Sequence, residues 1–251
     1  MRIAVIADIH GNILALEAVL EDLARRGGAD RVINLGDCVS GPLWPRETAE
    51  RLQALDWPTV RGNHDRRVAL DPLDEMGPSD KFAYDRLTQA QRDWLVALPL
   101  QATIAPGVLA FHARPDHDER YLLDAIVDGQ LVRAPIAAIA KRLKSIGPGR
   151  RILLCGHSHR SELLRMPDGL VIFNPGSVGC PAYDDPTEPA HVSEQGSPHA
   201  RYGVVELGED GGADRFEAFA VSYDHEAAAV RAEQAGRPEW ARGLRTGFIR
   251  V

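Results

Sequence analysis

The sequence predicts an α/β protein in which two sheets pack together with helices outside. Two observations carry this expectation. The first third alternates short apolar runs with helical patterns, an order that favours parallel strands and right-handed crossovers. The last third returns to strands after a more helical middle. With 251 residues the chain can bury a sizeable core without staples. No convincing linker interrupts it, so residues 1–251 read as one domain.

Each element has a local cause. Ile3–Ala7 is an apolar run and reads as a buried strand. Leu14, Leu16, Ala18, Val19, Leu20 and Leu23 recur at helical spacing, and Gly27-Gly28 can stop that helix. Val32–Leu35 reads as a second strand. Pro45–Leu55 reads as a second helix, with Pro45 suited to its first turn. Thr59–Arg61 is a short third strand. Thr88 and Gln91 form a capping-box pattern ahead of Trp94, Leu95 and Leu98. Ala102–Ala105 and Val108–Phe111 flank Pro106-Gly107 as a hairpin. Glu119–Val127 and Pro135–Ser145 read as helices. Ile152–Cys155, Leu170–Phe173, Tyr202–Leu207 and Arg215–Val221 read as strands, with a turn at Gly208–Gly212 and a closing helix over His225–Gln234. Pro181–Ala200, rich in Pro, Asp, Glu, Ser and His, reads as an exposed loop that could cover a site and set specificity.

Composition narrows the function. A formal charge of -7 argues against a general nucleic-acid or anionic-membrane surface. No apolar stretch approaches the ~20 residues of a membrane helix. The first apolar run is too short for a signal peptide. Cys38, Cys155 and Cys180 are scattered without a CxxC pair, which suits a reducing cytosol. The expected location is therefore cytoplasmic.

Five segments carry chemistry: Asp8-Ile9-His10-Gly11-Asn12, Gly36-Asp37, Gly62-Asn63-His64-Asp65, His112 and Gly156-His157-Ser158-His159. Taken singly, most are ordinary polar turns. Their conjunction carries the reading, because each falls at the C-terminal end of an expected strand, the edge where open α/β sheets bind ligands. Asp8, Asp37, Asn63 and histidines 10, 112, 157 and 159 make a mixed oxygen and nitrogen set. Such a set suits manganese, iron, zinc or nickel better than calcium or magnesium. Seven ligands exceed one ordinary site and suffice for two if a carboxylate bridges. Two metals can clamp the attacking and leaving oxygens of an in-line displacement and activate a water.

These motifs, in this order, resemble the signature of the calcineurin-like metallophosphoesterase superfamily. Asp8-Ile9-His10, Gly36-Asp37, Gly62-Asn63-His64-Asp65, His112 and Gly156-His157-Ser158-His159 match every element of it. The resemblance implies a four-layer α-β-β-α sandwich of two mixed sheets flanked by helices. It implies that Asp8, His10 and His159 hold one metal, that Asn63, His112 and His157 hold the other, and that Asp37 bridges. His64 would assist the leaving oxygen and stabilise the transition state, and Asp65 would orient His64. Asp8–Glu17, Asn174–Gly179 and Tyr223–Ala228 further resemble a subgroup of small bacterial and archaeal phosphodiesterases, commonly used with manganese or nickel. Two divalent transition-metal ions are expected, with manganese favoured.

The departures are informative. Protein phosphatases of the superfamily carry Gly-Asp-x-Val-Asp-Arg-Gly, whereas this chain has Gly36-Asp37-Cys38-Val39-Ser40-Gly41 and lacks the phosphate-gripping arginine. The expected activity is phosphodiester hydrolysis of a small substrate, nucleotides among the candidates. A phosphomonoesterase or a dinucleoside polyphosphate hydrolase on the same site is the alternative, and a non-catalytic binding scaffold a remoter one. Asn12 and Arg114 are candidate substrate contacts. Arg66 and Arg67 read as solvated helix charges. His117, His191, His199 and His225 read as surface residues, and Cys38 and Cys155 as packing.

Overall fold

The structure, a computed structural model, describes residues 1–208 and 213–249. In chain order β1 (Arg2–Ile6), α1 (Ile13–Arg25), β2 (Arg31–Asn34) and α2 (Pro45–Leu55) form the expected β-α-β-α start. Asn12 caps α1 through its side-chain oxygen, and Pro45 opens α2. Three helices follow: α3 (Asn63–Leu70), α4 (Pro78–Tyr84) and α5 (Gln89–Ala97). Thr88 and Gln91 close the capping box on α5.

The middle and end of the chain hold β3 (Gln101–Ala105), β4 (Val108–Phe111), β5 (Asp124–Val127), β6 (Gln130–Arg133), α6 (Ile136–Arg142), β7 (Ile152–Leu154), β8 (Ser161–Arg165) and β9 (Val171–Pro175). The chain then runs through β10 (Ala182–Asp185), β11 (His191–Glu194), β12 (Ala200–Glu206), β13 (Arg215–Val221), α7 (His225–Gln234) and α8 (Pro238–Thr246).

Two mixed sheets carry the fold. The first runs β13-β12-β1-β2, with β1 parallel to β2 and antiparallel to β12. The second runs β3-β4-β7-β9-β8, with β4, β7 and β9 parallel at its centre and antiparallel strands at its edges. Alternation along β1 separates its two faces. Ile3, Val5 and Ala7 pack with Val108, Ala110, Ile152 and Leu154 of the second sheet. Ala4 and Ile6 pack with Leu16, Val19 and Leu23 of α1. On the far face of the second sheet, Phe111, Leu153 and Ile172 pack with Ile139 of α6. Full burial of one such side chain contributes about 1.5–3 kcal/mol, so these faces hold the strand ends rigidly in place.

The structure corrects several local expectations. A third sheet, β10-β11-β6-β5, arises from segments read as helix and loop. Asp124–Val127 is a strand because Asp128 and Gly129 both take positive φ, at 51° and 71°, and turn the chain into β6 as a two-residue hairpin. That Asp-Gly signal outweighs the helical spacing read over Glu119–Val127. The polar 181–200 stretch forms the antiparallel pair β10 and β11, and Val192 of β11 joins β6 in parallel. The third strand expected at Thr59–Arg61 shrinks to one parallel bridge between Asn34 and Thr59, because the chain enters α3 at once. The second expected middle helix is shorter and ends before Gly147-Pro148-Gly149. Helices α4 and α8 and strand β8 were not expected, whereas α3 is the helix on which Arg66 and Arg67 were placed. Of the turn expected at Gly208–Gly212, residues 209–212 lie outside the described residues. No helix among the described residues is long and apolar enough to cross a membrane.

Candidate metal centre

The chemistry-bearing segments meet where the parallel strands end. Asp8 follows β1, Asp37 follows β2, His112 follows β4, and His157 and His159 follow β7. Backbone bonds lock these turns together: Asp8 N donates to Gly36 O at 3.0 Å and His10 N to Asp37 O at 2.9 Å. Gly62 is required for the approach, since a Cβ there would collide with the Asp37 carboxylate. Among the described residues seven non-glycine positions have positive φ, and five of them are Asp8, His10, Asp37, His157 and His159. Left-handed backbone is costly for such residues and concentrates at functional sites.

Two groups form. Ligand atoms of Asp8, His10 and His159 lie within 4.8 Å of one another, and those of Asp37, His112 and His157 do likewise. Asp37 sits between the groups: its Oδ2 is 3.7 Å from His10 Nε2 and 3.4 Å from His112 Nε2. Asn63 Oδ1 lies 3.1 Å from His112 Nε2, completing the second group. All seven residues expected as ligands are thus brought together.

The donor set fits cations. His10 Nδ1 donates to Ser40 O at 2.7 Å, His112 Nδ1 to Leu35 O at 2.8 Å, and His159 Nδ1 to Cys180 O at 2.6 Å. These carbonyls set the tautomers, and in His10 and His159, which burial keeps neutral, they leave the Nε2 lone pairs facing inward. His10 Nε2 and His159 Nε2 then oppose each other at 3.1 Å, a repulsive contact that a cation between them relieves. Charge tells the same story. Burial pushes Asp8 up to about 8 and His10 down to about 4. Burial also opposes charge on His112, but the Asp37 carboxylate outweighs it and lifts this ring to about 10. Burial raises Asp37 too, yet His112, His64 and His10 together hold it well below the usual carboxylate range. Burial holds His157 and His159 well below the ordinary histidine value. Bound cations invert this balance by supplying the missing positive charge.

His64 stands at the edge of the centre, with its ring 5.6 Å from that of His10. The partner of its Nδ1 is Asp80 Oδ1 at 2.7 Å, not Asp65. Asp65 instead accepts backbone N–H bonds from Asp37 at 2.8 Å, Cys38 at 2.9 Å and Gly62 at 3.0 Å. The expected orienting role of Asp65 is therefore corrected: it pins the turns that present Asp37 and Asn63. Burial opposes charge on His64, and Asp80 and then Asp37 overcome it, lifting the ring to about 9. Ser40, in the position of the second aspartate of the phosphatase motif, donates to Asp80 Oδ1 at 2.6 Å.

The two expected substrate contacts face elsewhere. Asn12 is buried, and its amide donates to Gly179 O at 3.0 Å and Tyr223 Oη at 3.1 Å. Its oxygen caps α1, so no polar atom is left for a substrate. Arg114 Nε donates to Tyr121 O at 2.9 Å and braces the 112–121 loop from outside the cavity. His191 is no surface residue: buried in the third sheet, it pairs with Tyr121 Oη at 2.7 Å.

A cavity of about 490 Å³ opens over both groups. Residues that the sequence reading missed line it: Asp80, Tyr121, Tyr183, Arg237 and Trp240, together with Arg67, which was read as a solvated helix charge. Tyr121 stacks on His157 with ring centroids 4.7 Å apart, and Tyr183 meets His159 edge-on at 4.6 Å. The one legible signal was proline: Pro78 and Pro238 open α4 and α8, which deliver Asp80 and Trp240.

The sequence profile of the calcineurin-like phosphoesterase superfamily domain matches residues 1–195. The chain belongs to this superfamily. A relative from Methanocaldococcus jannaschii, uncharacterized protein MJ0912, is 30% identical over 190 residues, covering 71% of this chain and 76% of that protein. Among solved structures, a metallophosphoesterase from Sphaerobacter thermophilus superposes with a TM-score of 0.72 at 24% identity over 99% of both chains. Hypothetical protein PH1004 from Pyrococcus horikoshii superposes with a TM-score of 0.76 at 21% identity over 98% of both chains. These two likenesses show that the whole α/β fold is shared. Membership of the superfamily supports a metal-dependent phosphoester hydrolase.

Proposed function

We infer that this metallophosphoesterase is a phosphodiesterase that works with two divalent cations, manganese favoured. The observation that carries the reading is the placement of Asp37, whose carboxylate reaches histidines of both ligand groups. Asp8, His10 and His159 would hold one cation, Asn63, His112 and His157 the other, and Asp37 both. Cations bound there would lower the pKa of a bound water and neutralise phosphate oxygens.

The chain's own side chains supply the remainder. Asp80 holds His64 Nδ1, so Nε2 faces the cavity with a proton to give. As the oxygen of water bonds to phosphorus and releases a proton to solvent, the ester P–O bond opposite breaks. The departing oxygen takes the His64 proton, solvent reprotonates His64, and the products are a monoester and an alcohol.

Charge in the cavity supports the diester over its rivals. Among the described lining residues the arginines are Arg67 and Arg237, and each is already paired, with Glu119 and Glu239. Asp184 and Asp185 add negative charge to the lining, while Asp80 is paired with His64. A monoanionic diester suits this lining better than a dianionic monoester or a polyphosphate chain. The test is turnover by manganese-reconstituted protein of bis(4-nitrophenyl) phosphate, 4-nitrophenyl phosphate and a dinucleoside tetraphosphate. The diester is expected to show the highest kcat/KM. A higher value for the monoester or the tetraphosphate would overturn the diester assignment.

A further inference from the structure

The cavity has a wall that the metal ligands and His64 do not account for. Trp240, on α8, lines the cavity with its ring centroid 6.0 Å from that of His10, at 71°. His10 in turn lies 5.6 Å from His64. Trp240 and His64 are thus both neighbours of the same ligand, and both line the cavity.

Two contacts hold the indole in place, and a third bond braces its helix. The side chain packs onto the small core of Leu43, Ala241 and Leu244. Its benzo edge lies over Gly41, where a Cβ would stand 2.6 Å from the His10 carbonyl oxygen and 3.1 Å from Cη2, so residue 41 has room only for glycine. Arg237, one turn earlier, donates to Ser79 Oγ at 3.0 Å and ties α8 to α4, the helix that carries Asp80. The element that orients His64 and the element that carries Trp240 are therefore braced against each other. Between them the cavity is bounded by Pro78 on the α4 side and by the indole on the other. A half-buried tryptophan, fixed by packing yet open to a cavity, presents a rigid planar surface at little entropic cost.

We propose that Trp240 forms a leaving-group subsite that selects a phosphodiester whose departing alcohol carries a planar aromatic ring. This rests on the diester reading above and adds the class of ester group that the site prefers. The cleaved bond and the proton path are unchanged. The ring stacks on the indole while the bridging oxygen faces His64 Nε2, so the subsite selects among diesters rather than creating the chemistry.

The experiment compares two methyl diesters, one leaving as a phenol and one as a fluorinated aliphatic alcohol of matched acidity. With acidity matched, the ratio of their kcat/KM values reports the ring alone. Trp240→Leu keeps apolar volume and removes the planar face, and is expected to lower the aryl-to-alkyl ratio about threefold to tenfold, chiefly through KM. Trp240→Phe is expected to restore the ratio to within about twofold of wild type. Melting temperatures of the two variants check that the fold is intact. Should leucine not fold there, Trp240→Met carries the same comparison. An unchanged ratio in an active, folded Leu or Met variant overturns the subsite alone. Failure of the wild-type protein to cleave either diester overturns the diester reading itself and the subsite with it.

Discussion

Asp80 Oδ1 accepts a hydrogen bond from His64 Nδ1 at 2.7 Å, although the two residues belong to different helices and Asp65 is the nearer carboxylate in sequence. Asp80 is almost fully buried, while the His64 side chain is 28% exposed on the cavity side. The buried partner fixes the ring, and the exposed nitrogen is left facing the cavity.

Asp80→Asn should therefore weaken proton donation without emptying the metal centre. The expected signature is a kcat loss that grows as the leaving alcohol becomes less acidic, about twofold for 4-nitrophenol and about tenfold or more for an alkyl alcohol. KM and metal content should stay near wild type. A uniform loss across the leaving-group series would show that Asp80 acts only on the fold.

Asp65→Asn should behave in the opposite way. The carboxylate accepts from three backbone N–H groups that position Asp37 and Asn63. An amide accepts fewer bonds, so a loss of about 1–3 kcal/mol is expected. In a domain of this size that corresponds to several degrees of melting temperature. The leaving-group dependence should match wild type, and differential scanning calorimetry beside the same ester series separates the two aspartates.

Asp37→Asn should reduce bound metal below that of wild type, with activity falling in parallel, because this carboxylate reaches both ligand groups. Chelation of the wild-type protein should lower its melting temperature, and manganese should restore it, since an ion bound only by the folded state stabilises that state. Elemental analysis of the purified variant checks the first expectation. Full occupancy would remove Asp37 from the bridging position.

Asp22 predicts an acid limb in stability that is independent of the metal centre. Its carboxylate accepts from Arg26 Nε at 2.6 Å, Tyr202 Oη at 2.9 Å and Arg25 Nη2 at 3.2 Å. Burial raises its pKa, and these donors overcome burial and hold it below 3.8. A depressed folded value means that the stabilisation is complete above 3.8 and is lost as pH falls through the folded value. Asp22→Asn should cost about 1–3 kcal/mol at neutral pH. The gap from wild type should close below pH 4, as followed by urea denaturation across pH.

Sequence alone determined the layered α/β plan and the seven residues that gather at the strand ends. The physical reason is locality. Asp8, Asp37, His112, His157 and His159 each sit one turn beyond a strand, and parallel strands must place those turns on one edge. The Asp128-Gly129 hairpin was equally local, and the helical spacing before it obscured a turn signal that was there. Only the tertiary structure decided the rest. Asp80, Tyr121 and Trp240 reach the cavity from α4, from the loop before β5 and from α8, and no spacing within the chain relates them to the ligands. The carboxylate that serves His64 was decided by packing, because Asp65 was already engaged by three backbone N–H groups and Asp80, sixteen residues beyond His64 on α4, supplied the acceptor.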